Sequence, residues 1–316
     1  MITTAGLHTT GNIWRRPMKL LASLAAITTL MTIAVVPAFA QGQDFSKVEE
    51  KVTNLGHNIY AVTGAGGNTT VAVGKDAVIV VDTQFAPIYD KLKAAITGLS
   101  PLPVKYVINT HFHGDHTGGN AAFAKDGATL VAYKTLPDRM AHPLPGPSGP
   151  IPPAPTEALP TKLYSGNSTT VKIAGVTADL IHPAPAHTDG DTIVVFKAAN
   201  VISTGDIVGS ATYPYIDVAS GGSIGGMIAA TSYIVGQSNA QTKIVPGHGP
   251  VTDRDGVIAY RTMLQTARDR IAKAKASGMS EDRMAQSNLL ADLDVKWKPS
   301  GNQPSQFPRQ VYESVK

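Results

Sequence analysis

Three histidines and one aspartate stand within six positions of the stretch NTHFHGDHTGGN. Imidazole nitrogens and carboxylate oxygens are ligands for zinc, iron and manganese, and His111 and His113, two positions apart, project to the same side of an extended or turning backbone. The glycine that follows lets the chain reverse, so that Asp115 and His116 point toward a neighbouring position. The spacing predicts ligands for two adjacent metal ions, the alternative being turn histidines that are exposed to water.

Three further candidate ligands follow predicted strands elsewhere in the chain. His187 lies in PAHTDGD, Asp206 in VISTGD and His248 in VPGHGP, each close to a glycine. Because the carboxyl ends of strands share one edge of a sheet, side chains that are remote in sequence can converge there. We therefore expect these three residues to meet the histidine motif.

Composition narrows the chemistry and the partners. The chain has no cysteine, which excludes disulfide bonds, thiolate nucleophiles and thiolate metal ligands. Of its 27 basic side chains, three lie within the first 40 residues, and the remainder nearly balance its 23 acidic side chains. A nearly neutral body lacks the basic surface of a nucleic-acid binder. We expect a small-molecule substrate and no nucleic-acid partner; the sequence does not indicate an oligomeric state.

The first 40 residues have the pattern of a signal peptide. A basic stretch, RRPMK, precedes the apolar run LLASLAAITTLMTIAVV and the small-residue ending PAFA. The pattern predicts cleavage after Ala40 and a single domain over residues 41–316. The protein would then be exported, periplasmic or secreted, without stable membrane association. An uncleaved membrane anchor is the alternative, and Met18 is a second candidate start.

The elements that must position these residues can also be read from the sequence. AVIVVDT and VKYVINT are predicted strands, and PIYDKLKAAITGL between them is a predicted helix. The second half repeats this order, with strands in TVKIAG, VTADLIHPAP, TIVVFKAANVISTGD and TKIVPGHG, then the helix RDGVIAYRTMLQTARDRIAKAKASG. Two sheets packed face to face with helices outside is the economical arrangement. After Gly278 we expect one short helix and a polar tail without a motif.

A proline-rich insertion interrupts the chain at residues 137–160. Nine prolines in this segment exclude regular helix and central strand. The segment is either a solvated spacer or a lid over the site.

The stretch THFHGDHTGGN is similar to the signature of the metallo-β-lactamase superfamily. The resemblance continues in chain order: AVIVVDT resembles the family's early strand and aspartate, AHTDGD its third-histidine turn, STGD its bridging-aspartate strand and VPGHGP its last-histidine turn. It covers most of residues 52–275. The fold that it implies is α/β, a four-layer αββα sandwich of two mixed sheets, which agrees with the layer order expected above.

The resemblance also implies a ligand set. It assigns one metal ion to His111, His113 and His187, a second to Asp115, His116 and His248, and Asp206 to both. It implies two zinc ions per chain, with iron or manganese as alternatives, and a metal-bound hydroxide that the catalytic residue Asp115 orients. The shared aspartate resembles that of glyoxalase II and lactonases, and the lack of cysteine excludes the β-lactamases that use one in the second metal site.

Other polar residues support weaker hypotheses. Asp82 would hold an imidazole or the histidine loop by hydrogen bonds, or else serve as a turn or helix cap. Asp189 and Asp191 either tune His187 or form a turn. His182 is expected to be a surface or core histidine rather than a ligand.

Several further side chains lie near the expected site or elsewhere in the chain without a motif of their own. His57 and His142 are expected to be exposed. Tyr213 and Tyr215 would pack in the core or line the pocket, where a hydroxyl would stabilise an oxyanion. The basic side chains near the motifs, candidates for binding a substrate anion, are Arg139, Lys162 and Arg254.

The leading functional hypothesis is an exported binuclear zinc hydrolase that opens a cyclic amide or ester, β-lactam-like or lactone. A glyoxalase-II-like thioesterase is the runner-up, although export argues against a glutathione substrate. A di-iron redox enzyme would need an electron-donor module, which the sequence does not reveal. A non-catalytic zinc-binding protein is the remaining alternative.

Overall fold

The computed structural model describes residues 44–144, 150–297 and 303–315, with side chains from residue 306 onward in the last segment. The predicted leader, residues 1–40, lies outside the described residues, so its cleavage stays a prediction. Among the helices that are described, none combines the length and the apolar character needed to cross a membrane.

The first half of the chain forms a seven-stranded mixed sheet. Its strands, in spatial order, are β1 (Lys51–Gly56), β2 (Ile59–Thr63), β3 (Thr69–Val73), β4 (Val78–Val81), β5 (Val104–Ile108), β6 (Thr129–Tyr133) and β7 (Lys162–Tyr164). Neighbours pair antiparallel from β1 to β4 and parallel from β4 to β7. The parallel half therefore turns the carboxyl ends of β4, β5 and β6 to one edge.

The second half forms a five-stranded mixed sheet. Its strands, in spatial order, are β12 (Lys243–Val245), β11 (Val201–Ser203), β10 (Ile193–Phe196), β9 (Val176–Ile181) and β8 (Ser168–Ile173). The β11–β12 pair is parallel and the other pairs are antiparallel.

The helices of the described residues follow or connect these strands. They are α1 (Tyr89–Leu99), α2 (Gly114–Thr117), α3 (Asn120–Lys125), α4 (Leu136–Met140), α5 (Ile224–Gln237), α6 (Arg254–Ala276), α7 (Glu281–Ala285), α8 (Ala291–Asp294) and α9 (Gln303–Ser314). The two long helices of the second half begin at side-chain caps, because Ser223 accepts from the N–H of Gly226 and Asp253 from that of Gly256.

Alternation along β4 shows why each sheet needs cover on both faces. Ile79 and Val81 pack in the core between the sheets, while Val78 and Val80 pack with α1 and α3. All four are fully buried. Because successive side chains of a strand point to opposite faces, an uninterrupted β-branched run indicates a strand that is buried on both sides.

The second sheet is covered in the same way. Val194 and Phe196 of β10 face the core shared with the first sheet, whereas Ile193 and Val195 pack with α5, α6 and α9. The layers are therefore helix, sheet, sheet, helix. The predicted four-layer αββα fold is confirmed.

Two segments differ from the sequence-based expectation. The exclusion of helix from residues 137–160 is wrong at its start, because α4 begins at Leu136 and has Pro137 in its first turn, where the missing N–H of proline breaks no helical hydrogen bond. The expected polar tail contains α9, which buries Phe307 and Val311 although Pro308 lies inside the helix. The lid hypothesis for the proline-rich segment stays a prediction.

Candidate metal centre

All seven predicted ligand residues lie together at the carboxyl ends of strands. The histidine motif follows β5, Asp206 follows β11 and His248 follows β12, while His187 stands in the turn between β9 and β10. They form two groups, each able to offer ligand atoms to one ion: His111, His113, His187 and Asp206, and Asp115, His116 and His248. We call these the first and the second group.

Asp206 lies between the two groups and faces both. Its Oδ2 lies 3.7 Å from Nε2 of His187 and 3.9 Å from Nε2 of His111. Its Oδ1 lies 3.1 Å from Nε2 of His116 and 3.5 Å from Nε2 of His248. One carboxylate therefore has an oxygen directed at each group.

Hydrogen bonds behind the first group fix which imidazole nitrogens carry protons. Nδ1 of His187 lies 2.8 Å from the carbonyl oxygen of Tyr215, and Nε2 of His113 lies 3.1 Å from Oδ2 of Asp217. Both partners are acceptors, so each of these nitrogens is the donor. The remaining nitrogens, Nε2 of His187 and Nδ1 of His113, then face each other 3.0 Å apart. Both nitrogens would be available to a cation bound beside them.

The second group is arranged in the same manner. Nδ1 of His116 lies 2.7 Å from Oδ2 of Asp82, and its Nε2 lies 3.3 Å from Nε2 of His248. Oδ2 of Asp115 lies 3.2 Å from the same His248 nitrogen. Imidazole and carboxylate donors converge on one point, as a divalent cation requires.

Two buried atoms at the centre have no hydrogen-bond partner among the described residues. They are Nε2 of His111 and Oδ1 of Asp206. An unpaired buried polar atom is costly, and a bound cation would satisfy both atoms. The donor set therefore fits the two metal ions that the resemblance implies.

Burial dominates the electrostatics of the first group. Burial, together with His116 and His187, holds the pKa of His111 well below its usual value. Burial likewise lowers the pKa of His187 to about 4. Both imidazoles are neutral at neutral pH, which is the form that binds a metal.

Carboxylates dominate the second group. Burial alone would lower the pKa of His248, but Asp206 and Asp115 outweigh it and raise the pKa to about 10. The same balance, led by Asp206, raises the pKa of His116 well above its usual value. Despite burial, His116 and His248 lower the pKa of both Asp115 and Asp206. A metal ion entering this group must displace protons from the histidines.

Asp82 orients His116 from a strained position. Its φ of 62° lies in the left-handed region, which is uncommon for a residue other than glycine. Its carboxylate accepts from the N–H of Thr110 at 2.8 Å and from Oγ1 of Thr110 at 2.6 Å, besides facing His116. The strained backbone thus presents one carboxylate to the histidine loop and to an imidazole together.

Asp191 holds the turn that carries His187. Its Oδ2 accepts from the backbone N–H of His187 at 2.7 Å, and its Oδ1 accepts from Oγ1 of Thr188 at 2.6 Å. Burial raises the pKa of Asp191 to about 7, against the effect of these hydrogen bonds. The neighbouring Asp189 instead forms an ion pair with Arg139, at 2.6 Å.

The remaining predicted residues occupy several environments. His57 and His142 are exposed, and His182 stacks on Tyr133 with ring centroids 3.5 Å apart. Lys162 lies over the ring of Tyr106. Arg254 is the first residue of α6.

Sequence reasoning missed a loop that closes the back of the second group. The N–H of Gly67 donates to the carbonyl oxygen of Asp115 at 2.9 Å, and a Cβ atom on Gly67 would overlap the ring of His116. Nδ2 of Asn68 donates to the carbonyl oxygens of Pro246 and Gly249, at 3.0 and 2.8 Å, on either side of His248. The glycine pair in TGAGGN, directly after a strand, was the available signal.

Exposure defines the mouth of the site. The side chains of His111, His116 and His187 are at most 1% exposed, whereas His248 is 45% and Asp115 is 24% exposed. The site therefore opens to solvent along the second group and along the outer edge of His113, which is 20% exposed.

One segment lies along this mouth, and we call residues 209–217 the rim loop. Gly209 pairs with His248 in an isolated parallel bridge, the carbonyl of Tyr215 accepts from His187, and Asp217 contacts His113. The rim loop therefore touches ligands of both groups. Asp217 was also missed from the sequence, since no motif surrounds it.

Comparisons with known proteins show which family and which fold the chain resembles. Residues 62–263 match the family model described as "Metallo-beta-lactamase superfamily". The chain is 30% identical over 152 residues to the 2,4-dinitroanisole O-demethylase subunit alpha of Nocardioides sp. (strain JS1661), covering 48% of this chain and 44% of that protein, so the match spans less than half of the relative.

Two further matches cover more of the chain. It is 24% identical over 262 residues to the atrochrysone carboxyl ACP thioesterase dmxR1 of Cryptosporiopsis sp. (strain 8999), covering 80% of this chain and 72% of that one. Among solved structures, a metallo-beta-lactamase from Pontibacter korlensis matches with a TM-score of 0.57 at 18% identity, over 69% of this chain and 99% of that one. At 18% identity this structural match shows a similar fold and nothing about activity.

Proposed function

The chain belongs to the metallo-β-lactamase superfamily, and from this premise we propose that it is an exported binuclear zinc hydrolase acting on the carbonyl group of a cyclic amide or ester, β-lactam-like or lactone. The observation that carries the proposal is Asp206, whose two oxygens face two complete groups of ligand atoms. Family membership rests on the match over residues 62–263, and we propose the substrate class, the zinc ions and export on that basis.

The first group would hold one ion through Nε2 of His111, Nδ1 of His113 and Nε2 of His187. The second group would hold the other through Asp115, His116 and His248, with Asp206 shared. Two bound cations supply a water of lowered pKa and polarise the carbonyl under attack. Lack of cysteine leaves only nitrogen and oxygen ligands, which suit zinc and also allow iron or manganese.

The protein's own residues would position the reactants. Asp115 borders the mouth and offers a carboxylate that can orient the attacking water by a hydrogen bond. Asp82 and Asp217 hold the imidazoles of His116 and His113 in fixed orientations, so that no reorganisation is needed during the reaction. The buried half of the centre excludes bulk water from the ligand atoms.

The test combines metal analysis with hydrolysis. The purified mature chain is expected to bind two equivalents of zinc and to hydrolyse a chromogenic β-lactam or a homoserine lactone, with loss of hydrolysis on chelation and recovery when zinc is returned. His142→Ala is the matched control, because it removes an exposed histidine outside both groups. Full hydrolysis without metal would overturn the proposal.

A thioesterase is the second candidate, and one comparison favours it. The relative that covers 80% of the chain carries the name of an acyl-carrier-protein thioesterase. An acyl-glutathione and a second thioester are therefore assayed beside the lactam and the lactone. Turnover of a thioester at a rate well above both ring substrates would replace the leading assignment, and binding of zinc without turnover of the whole panel would favour the non-catalytic alternative.

Export is tested separately from chemistry. Mass measurement of the protein recovered from the periplasmic or extracellular fraction should give a chain that begins at Gln41. A protein that retains its first 40 residues would contradict the signal-peptide part of the proposal.

A further inference from the structure

Two tyrosines of the rim loop, two positions apart, have opposite environments. Tyr213 is buried, stacks on Phe307 with ring centroids 4.6 Å apart and donates to Oδ1 of Asp294 at 2.7 Å. Tyr215 is 42% exposed. The sequence-based expectation of core packing therefore fits Tyr213 but not Tyr215.

Tyr215 stands beside the first group of ligands. Its ring centroid lies 6.1 Å from that of His113 and 6.2 Å from that of His187. Its carbonyl oxygen accepts the Nδ1 proton of His187 at 2.8 Å. The ring is thus anchored through its own backbone to a metal-ligand histidine, and a molecule seated over the first group would meet its face or edge.

The chain holds this segment in place from behind with α9. Oε1 of Gln310 accepts from the N–H of Ile216 at 3.0 Å in a buried contact, and Oγ of Ser314 accepts from the N–H of Ile224 at 3.2 Å. The stack of Phe307 on Tyr213 and the contact of Gln310 with Ile216 therefore fix the rim loop on either side of Tyr215. The contact of Ser314 fixes the start of α5, which follows the rim loop. Helix α9 lies beyond the residues that match the family model, which end at 263. The support of the rim loop therefore comes from outside that match.

We propose that Tyr215 is a specificity-determining residue whose ring contacts an apolar, preferably aromatic, substituent next to the reacting carbonyl group, and that α9 sets its position. The inference rests on the proposed function, since it places the carbonyl group at the two ligand groups. A half-exposed ring fixed by its backbone loses little freedom on binding and offers apolar contact area and offset or edge-to-face packing.

The test uses two carboxylates that mimic the carboxylate end of a ring-opened product. Phenylacetate and acetate share the carboxylate that would reach the metal centre and differ in one aromatic ring. Their dissociation constants are measured by calorimetry or by ¹⁵N chemical shifts on the zinc-loaded, purified protein. We expect the wild type to bind phenylacetate about tenfold more tightly than acetate, which corresponds to about 1.4 kcal/mol.

Three variants assign the effect to the ring. Tyr215→Ala should abolish the preference for phenylacetate and leave acetate binding and zinc content unchanged, because the carbonyl that holds His187 remains. Tyr215→Phe should keep the preference, since it keeps the ring. Tyr233→Ala on α5 is the matched control for loss of a partly buried tyrosine and should also keep it.

Each other result overturns the inference. No preference in the wild type, or a preference retained by Tyr215→Ala, removes the ring from the binding site. Loss of the preference in Tyr215→Phe assigns the effect to the hydroxyl group. These readouts need no turnover, so failure of the hydrolysis assays would reject the proposed function without deciding the role of Tyr215.

Discussion

In the first group of ligands, His111 and His187 are buried and burial lowers the pKa of both, whereas in the second group His248 is 45% exposed and its pKa is raised to about 10. The first group is prepared for a metal by exclusion of water. The second is prepared by negative charge, because Asp115 and Asp206 hold protons on its histidines until a cation replaces them. The two groups should therefore differ in how they bind and release a metal ion and in how this binding depends on pH.

Removal of Asp206, which faces both groups, should have the largest effect. Asp206→Ala removes a carboxylate that lies between His187 and His116 and faces both of them. We expect turnover of the best substrate to fall by about 10³-fold, or about 4 kcal/mol of transition-state stabilisation, with loss of zinc from both positions. Kinetics and metal analysis beside the His142→Ala control measure this. Loss of only one zinc ion would show that the groups bind independently.

Changes behind the ligands should separate the groups. Asp217→Asn weakens the support of His113 in the first group, and Asp82→Asn that of His116 in the second, where asparagine also tolerates the positive φ. Each should reduce zinc affinity about 10–100-fold at its own position. Competition with a chelating dye, read as two binding steps, measures both. If both variants weaken the same zinc-binding step, the assignment of Asp217 to the first group and of Asp82 to the second is wrong.

The metal-free chain should lose stability in both directions of pH, for opposite reasons. The pKa of His187 is lowered to about 4, so its unfolded form takes up a proton below its ordinary pKa of 6.5 while the folded form does not, and stability falls toward acid. The pKa of His248 is raised to about 10, so its contribution is complete below 6.5 and is lost as the pH rises toward 10.

Urea unfolding with a chelator at acid, neutral and alkaline pH measures these effects. His248→Ala should diminish the alkaline loss, although solvent screening at this exposed side chain makes the change modest, and His116 contributes in the same direction. His187→Ala should diminish the acid loss. If His187→Ala instead reduced the loss of stability at alkaline pH, the assignment of the acid and alkaline losses to His187 and His248 would be wrong.

The smallest expected effect on binding comes from Gln310, which contacts no ligand of either group. Gln310→Met keeps the side-chain size but removes the acceptor for the buried N–H of Ile216, at a cost of about 1–3 kcal/mol in unfolding free energy. Because the rim loop then loses a fixed point, the preference for phenylacetate over acetate should fall while the affinity for acetate stays. Calorimetry and urea unfolding test this pair. An unchanged preference would give Gln310 a role in stability alone.

Local patterns predicted most of what builds the centre. The β-branched run before Asp82 indicates a strand buried on both faces, and the turn histidines after strands indicate a shared edge. Both signals depend on residues close in sequence. The four-layer architecture followed from the order of such elements.

The parts that could not be predicted depend on contacts over long sequence distances. Asp217 reaches His113 across 104 positions, and Asn68 reaches the two sides of the His248 turn across 178 and 181 positions, with no motif at either residue. Helix α9 was hidden because Pro308 interrupts the pattern and because its helical state depends on packing against the rest of the chain. Tyr213 and Tyr215 have the same type and neighbourhood, and only the path of the rim loop separates their environments.

The close approach of Gly67 to His116 limits how this active site can be altered by directed evolution. The loop from Gly64 to Asn68 borders the second group and would be a natural target for a randomised library. Any side chain at position 67 would displace the imidazole, so selection for catalysis should return glycine there whatever the substrate. New specificities would have to arise across the mouth, at rim-loop positions such as Tyr215, whose side chain supports no ligand because its contact with His187 is through the backbone.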